Sequence, residues 1–90
     1  MTRLHLTAKN QFKRDAKKRF SVMFSENWTE VAYRLMNGLP LSEKYNDHAL
    51  SGNWNGFREC HIQPDLLLIY SVEDDYVQLV RLGSHAELFG

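Results

Sequence analysis

QPDLLLIYSVEDDYVQLVRLG, Gln63 to Gly83, is the stretch that decides the fold. Gln63-Pro64-Asp65 is a turn signal, because proline sets its own φ and cannot donate to a sheet ladder. Leu66 through Tyr70 then runs without a polar residue, the pattern of a central strand covered on both faces. Glu73-Asp74-Asp75 makes the next turn, and Tyr76 to Leu82 reads as another strand. Immediately upstream, Phe57 to Gln63 alternates. Arg58, Cys60 and Ile62 face one way, and Phe57, Glu59, His61 and Gln63 face the other. Three strands joined by tight turns predict an antiparallel sheet.

The period changes on the N-terminal side of Pro40. Trp28, Val31, Ala32, Leu35 and Met36 recur at helical spacing, with Asn27 and Glu30 at capping-box spacing before them. Gly38 stops that helix at the position where a left-handed residue is favoured. Before it, Ala8, Phe12, Ala16 and Phe20 form one stripe, while Lys13, Arg14, Lys17 and Lys18 point away from it. Residues 21–26 read as a connection. Arg3 to Thr7 alternates as a short strand, and residues 50–56, LSGNWNG, are rich in turn formers. The last residues, RLGSHAELFG, place Ser84 three before Glu87, again a capping-box spacing, so Ser84 to Phe89 closes the chain as one helical turn. The order β-α-α-β-β-β predicts an α+β domain over residues 1–90. An antiparallel sheet of about four strands carries two helices on one face and leaves the other partly open, with Phe57, Glu59 and His61 on it.

Ninety residues leave room for one domain. No apolar run reaches transmembrane length, and MTRLHLTAKNQFK lacks the apolar stretch of a secretory signal. Cys60 is the only cysteine, which excludes an intrachain disulfide and fits a cytoplasmic location. The net charge is zero, but residues 1–24 hold seven Lys or Arg against Asp15 alone. A basic N-terminal part on an acidic body suggests either a solvated helix face or a surface for a polyanion.

Polar residues gather in the strand half: Asp47, His48, Glu59, His61, Asp65, Arg81 and His85. A zinc site would need three or four ligands with short paired spacings. The nearest pair, Cys60 and His61, are strand neighbours on opposite faces, so neither a metal nor a cofactor is expected. Histidine and arginine suit a different task. Cleaving an RNA phosphodiester needs a base for the 2′-hydroxyl proton, an acid for the 5′-oxygen, and positive charge on the phosphate. Phe57 and Phe89 are of the type that stacks on bases, or that packs on the core. Trp54 is placed to clamp its glycine-rich turn.

Three blocks carry a resemblance. They are Asp47-His48-Ala49-Leu50-Ser51-Gly52-Asn53-Trp54, then Arg58-Glu59-Cys60-His61-Ile62-Gln63-Pro64-Asp65, and finally Arg81-Leu82-Gly83-Ser84-His85-Ala86-Glu87-Leu88-Phe89. In this order and spacing the segment from Pro40 to Gly90 resembles the YafQ branch of the RelE-superfamily toxins. Residues 1–39 match that branch in pattern only, and the link at 20–27 is longer than usual for it. The resemblance implies the toxin of a type II toxin–antitoxin pair, which cuts mRNA in the ribosomal 30S A site without a metal. Carried over by position, it implies catalytic roles for His48, His61, Asp65 and His85. Substrate contacts are then expected from Arg81, Phe89, Glu59, Lys13 and Lys17. Leu66 departs from the pattern, since relatives often have tryptophan there. The implied partners are a cognate antitoxin, the ribosome and mRNA, with operator DNA reached only through the antitoxin complex and no membrane. Two other readings compete. One is an inactive homologue that mainly binds its antitoxin. The other is a DNA-binding regulator, disfavoured because Arg34 is the only basic residue on the polar face of the second helix.

Overall fold

The structure, a computed structural model, describes residues 3–90, so Met1 and Thr2 lie outside the described residues. The elements are β1 (His5–Ala8), α1 (Asn10–Lys18), α2 (Glu26–Met36), β2 (His48–Ala49), β3 (Arg58–Gln63), β4 (Leu66–Val72), β5 (Tyr76–Gly83) and α3 (His85–Phe89). The α+β class agrees with the sequence reading, but the sheet is larger and mixed. It has five strands in the order β1-β5-β4-β3-β2. The fifth is β2, a two-residue edge strand paired with β3. β1 joins the other edge parallel to β5, with His5 opposite Tyr76 and Ala8 opposite Leu79. An alternating pattern marks a strand without saying which strand it will pair with. Here the α1–α2 pair carries the chain across one face and leaves β1 beside the last strand instead of the next one.

β4 is the spine of the sheet. Its residues Leu66 to Ser71 are all buried, and the strand pairs with β3 on one side and β5 on the other. On the helix side, Leu68 and Tyr70 pack with Phe12 of α1 and with Val31 and Leu35 of α2. On the other side, Leu67 and Ile69 pack with Val80 and Leu88. Leu50, Trp54 and Phe57 lie against that second cluster. The face expected to be partly open is therefore roofed by α3 and the loop after β2. A purely apolar strand requires this, since leaving one face of Leu67 and Ile69 in water would forfeit roughly 2 kcal/mol per side chain.

Helix boundaries shift by a few residues. α2 starts at Glu26, and its cap is Ser25, whose hydroxyl accepts the Trp28 N–H. Asn27, the expected cap, lies inside the first turn and donates its side-chain amide to the Ile62 carbonyl of β3. α1 ends at Lys18, and residues 20–24 form a 3-10 helix in place of a plain connection. Phe20 thereby leaves the stripe of Phe12 and Ala16. It is 63 % exposed and packs edge-on against Phe24.

Strand β5 contains a bulge. Its register with β4 runs from Tyr70 opposite Leu79 to Ile69 opposite Arg81, so Val80 is an extra residue. The extra residue restarts the alternation. Leu79 and Leu82 both face the helices, and Arg81 comes to the side of Ile69.

Candidate active site

Asp47 and His48 are adjacent, and the strand sends them to opposite faces. Asp47 accepts hydrogen bonds from the Arg58 guanidinium at 3.2 and 3.3 Å and from the Tyr70 hydroxyl. Burial and the Asp47 carboxylate push the Tyr70 hydroxyl well above its ordinary range, so it remains a donor. This network nails the two-residue strand to the helix-side layer. His48 consequently points to the other side, directly across from Glu59. Its Nε2 lies 2.8 Å from Glu59 Oε2, and its Nδ1 lies 2.7 Å from the Asn46 carbonyl. Asn46 takes a left-handed conformation, φ 46°, as asparagine does more readily than most residues.

The registers then set out the site in rows. His48, Glu59, Ile69 and Arg81 are successive cross-strand partners, and so are His61, Leu67 and Gly83. Neighbouring strands are about 4.8 Å apart, so His61 and Gly83 stand roughly 10 Å from one another. The His48 and His61 rings have centroids 6.5 Å apart.

Gly83 leads into the cap that carries His85. A Cβ at Gly83 would come within 3.1 Å of Glu87 Oε1 and 3.3 Å of Leu88 Cδ2, so this close turn suits glycine. The capping box is fully formed. The Ser84 hydroxyl accepts the Glu87 N–H at 3.2 Å, and Glu87 Oε1 accepts the Ser84 N–H at 2.7 Å. The same Glu87 oxygen receives Arg19 Nη2 at 2.7 Å from the end of α1. The Ser84 amide, followed by the Arg19 guanidinium, holds the Glu87 carboxyl down at about 2. From the β3–β4 turn, Asp65 Oδ1 accepts the backbone N–H of His85 at 3.1 Å. His85 is thus held at its backbone by Asp65 while Arg19 holds the same cap through Glu87. Its ring lies 5.1 Å from that of Phe89, one turn on. Phe89 meets Trp54 edge-on, and Trp54 meets Phe57 in the same way, so an aromatic row borders the histidines.

A family profile described as the bacterial toxin of type II toxin–antitoxin systems, YafQ, matches residues 4–90. The chain belongs to the YafQ toxin family. Its relative in Escherichia coli K12, the mRNA interferase toxin YafQ, is 48 % identical over 54 residues, or 60 % of this chain and 59 % of that one. A copper-bound variant of a toxin from Helicobacter pylori superposes with a TM-score of 0.88 at 46 % identity, covering 96 % of this chain and 99 % of that one. The E. coli DinJ–YafQ toxin–antitoxin complex matches with a TM-score of 0.81 at 36 % identity, covering 98 % of this chain and 99 % of that one.

Against the residues expected from sequence, this YafQ-family fold brings His48 beside His61, and Asp65 to the His85 backbone with Phe89 next to that ring. Two of the expected substrate contacts are placed differently. Glu59 is only 4 % exposed and turned to His48. Arg81 sits in the right row, but its Nε donates to Asp15 Oδ2 at 2.8 Å, and its side chain is 26 % exposed. Asp15 also accepts the Leu82 N–H at 3.0 Å. β1 stops pairing at Ala8, so the Asp15 carboxylate serves the edge amide that β1 no longer reaches. Lys13 and Lys17 lie exposed on α1, the helix that packs on β5. Sequence reasoning missed Asp15, Arg19 and the Asp47–Arg58–Tyr70 network. Asp15, the one acid among seven basic residues, was the available signal. Among the described residues no group of three His, Cys, Asp or Glu side chains is placed to hold a metal ion, and no helix is long and apolar enough to cross a membrane.

Proposed function

We propose that this toxin is an endoribonuclease that cuts mRNA in the ribosomal A site and so stops translation, and that it does so by histidine acid–base chemistry. The observation that supports the reading is the sheet face shared by His48 and His61, covered in part by the α3 cap that carries His85, whose backbone N–H is held by Asp65. The mRNA interferase name of the E. coli relative supports the reaction class.

In the reaction, a histidine of the strand pair, His48 or His61, takes the proton of the ribose 2′-hydroxyl. The oxygen attacks phosphorus, and the bond to the 5′-oxygen breaks. His85 gives that oxygen a proton. A 2′,3′-cyclic phosphate remains, and water opens it to a 3′-phosphate. The strand carrying His61 and the end of β5 that leads into the His85 cap are two strand spacings apart, roughly 10 Å, and a phosphodiester would lie between them. Arg81 ends the row that begins at His48, two residues before Gly83 on β5. Its charge is shared with Asp15, and the guanidinium fork has donors beyond the two that Asp15 takes, which can meet the scissile phosphate. Phe89 and Trp54 offer a stacking border for an unstacked base. The exposed lysines of α1, Lys13 and Lys17 among them, supply sequence-independent attraction to RNA backbone.

The protein partner is an antitoxin. The family description supports it, as does the DinJ–YafQ complex of the E. coli relative. The ribosome, mRNA and, through the antitoxin, operator DNA complete the partner set.

The test is primer extension on a translated mRNA, comparing wild type with His85→Ala. Cuts inside codons that require both the ribosome and His85 are expected. Equal cutting by the variant would remove His85 from the chemistry. Growth arrest without any cleavage would leave a toxin that only binds.

A further inference from the structure

The His48 ring has no idle nitrogen. A carbonyl oxygen only accepts, so the 2.7 Å contact to Asn46 places a hydrogen on Nδ1. A ring with its hydrogen there has a bare lone pair on Nε2. That nitrogen nevertheless lies 2.8 Å from Glu59 Oε2, and two acceptors do not approach so closely without a hydrogen between them. A proton is therefore shared between His48 and Glu59. Glu59 depends on it, because its other oxygen, Oε1, is buried with no hydrogen-bond partner. A carboxylate left unpaired at that depth would be strongly disfavoured. The groups around the pair do not compete for this proton. Asp47 and Arg58 bond each other on the opposite face, Arg81 is held by Asp15, and Cys60 is buried with its thiol pushed up by burial. His61 is the neighbouring ring, and it makes no side-chain hydrogen bond among the described residues.

A general base needs a free lone pair aimed at the proton it takes. His48 offers none in this arrangement, and His61 does. We propose that Glu59 is the positioning residue of His48, that the two act as one locked, proton-sharing unit bordering the substrate, and that His61 is the base for the 2′-hydroxyl. This rests on the RNA-cleavage reading above. It assigns Glu59 to holding His48 and not to binding RNA.

The test joins two readouts on the full chain. Two-bond hydrogen–nitrogen spectra of the histidine rings report which nitrogens carry hydrogen, without RNA or ribosomes. Single-turnover cleavage on programmed ribosomes gives rate and KM. In wild type, His48 shows hydrogen on both nitrogens, and Glu59→Gln reduces it to the Nδ1–H form while circular dichroism is unchanged. The cleavage rate of Glu59→Gln falls about 10–100-fold with KM little moved, the scale expected for misplacing a neighbouring group. Glu59→Asp, which keeps the carboxylate, recovers most of the loss. His61→Ala loses about 10³-fold.

An unchanged His48 spectrum in Glu59→Gln overturns the pairing. A rise in KM alone returns Glu59 to substrate binding. Wild-type cleavage by His61→Ala ends its assignment as base. If the wild-type protein itself cuts nothing on the ribosome, the RNA-cleavage reading falls, and the ring spectra still decide whether Glu59 locks His48.

Discussion

The Asp65 carboxylate reaches across the end of the sheet and accepts the backbone N–H of His85 at 3.1 Å. The two residues are twenty apart in the chain, and the contact joins the β3–β4 turn to the helical cap that carries the histidine. An amide oxygen would serve almost as well as a carboxylate in that bond. Asp65→Asn should therefore retain most cleavage, while Asp65→Ala should lose about tenfold or more through a misplaced His85. Single-turnover rates on programmed ribosomes decide it. Equal loss in both variants would mean that the negative charge of Asp65 matters and not its bond to the cap.

The cap itself is a second target. Ser84→Ala removes the hydroxyl that accepts the Glu87 N–H and should cost about 1 kcal/mol, measured by denaturant unfolding. The Glu87 carboxyl is held at about 2, below the ordinary glutamate value of about 4.3. A depressed acid contributes its stability above the unfolded value and loses it as pH falls through the folded one. The α3 turn should thus loosen between about pH 4 and pH 2, visible as faster amide exchange at Glu87 and Leu88. Arg19→Ala should move the onset of that loosening to higher pH.

Asp15 and Arg81 form a further joint, this time between α1 and β5. Burial raises the Asp15 carboxyl, but the Arg81 guanidinium, the Leu82 amide and Gln11 outweigh it, so the group sits below its ordinary value. Its stabilisation is therefore complete above about pH 4 and is withdrawn as the pH drops further. Asp15→Ala strands the Arg81 charge and the Leu82 N–H at once. It should cost about 3 kcal/mol and flatten the acid end of the stability curve. A loss under about 0.5 kcal/mol in urea melts would show that water replaces the carboxylate there.

The basic face of α1 makes an electrostatic prediction. Lys13→Glu combined with Lys17→Glu should weaken ribosome association at low salt and reduce the slope of log K against log salt by about one to two. Stability should change little, because both side chains are exposed. An unaltered slope would place the RNA-facing surface elsewhere on the molecule.

Much of the fold was legible in local pattern. The all-apolar run Leu66–Tyr70 marked the central strand, the Ser84/Glu87 spacing marked the final cap, and the spacing of Val31, Ala32 and Leu35 marked the second helix. Period and capping are local properties, so a linear reading reaches them. β1 pairing in parallel with β5 was not legible, because strand partners are chosen by the path of the intervening helices. The Val80 bulge was hidden too. A single extra residue leaves no mark on composition, yet it moves Arg81 from the helix side to the side of Ile69.

The site divides along the same line. The residue types and block order of His48, His61, Asp65 and His85 stood in the sequence, together with their resemblance to a toxin family. Their working relations did not. Glu59 looked like a solvent-facing strand residue because alternation counts faces and cannot see that α3 and residues 50–57 roof the second one. Asp65 stood in the sequence as an expected catalytic residue, and its carboxylate holds the backbone amide of His85. Sequence determined which chemical groups this protein owns and which elements carry them. Only the tertiary structure decided which group touches which, because hydrogen bonds and ion pairs form between residues brought close by packing, whatever their distance along the chain.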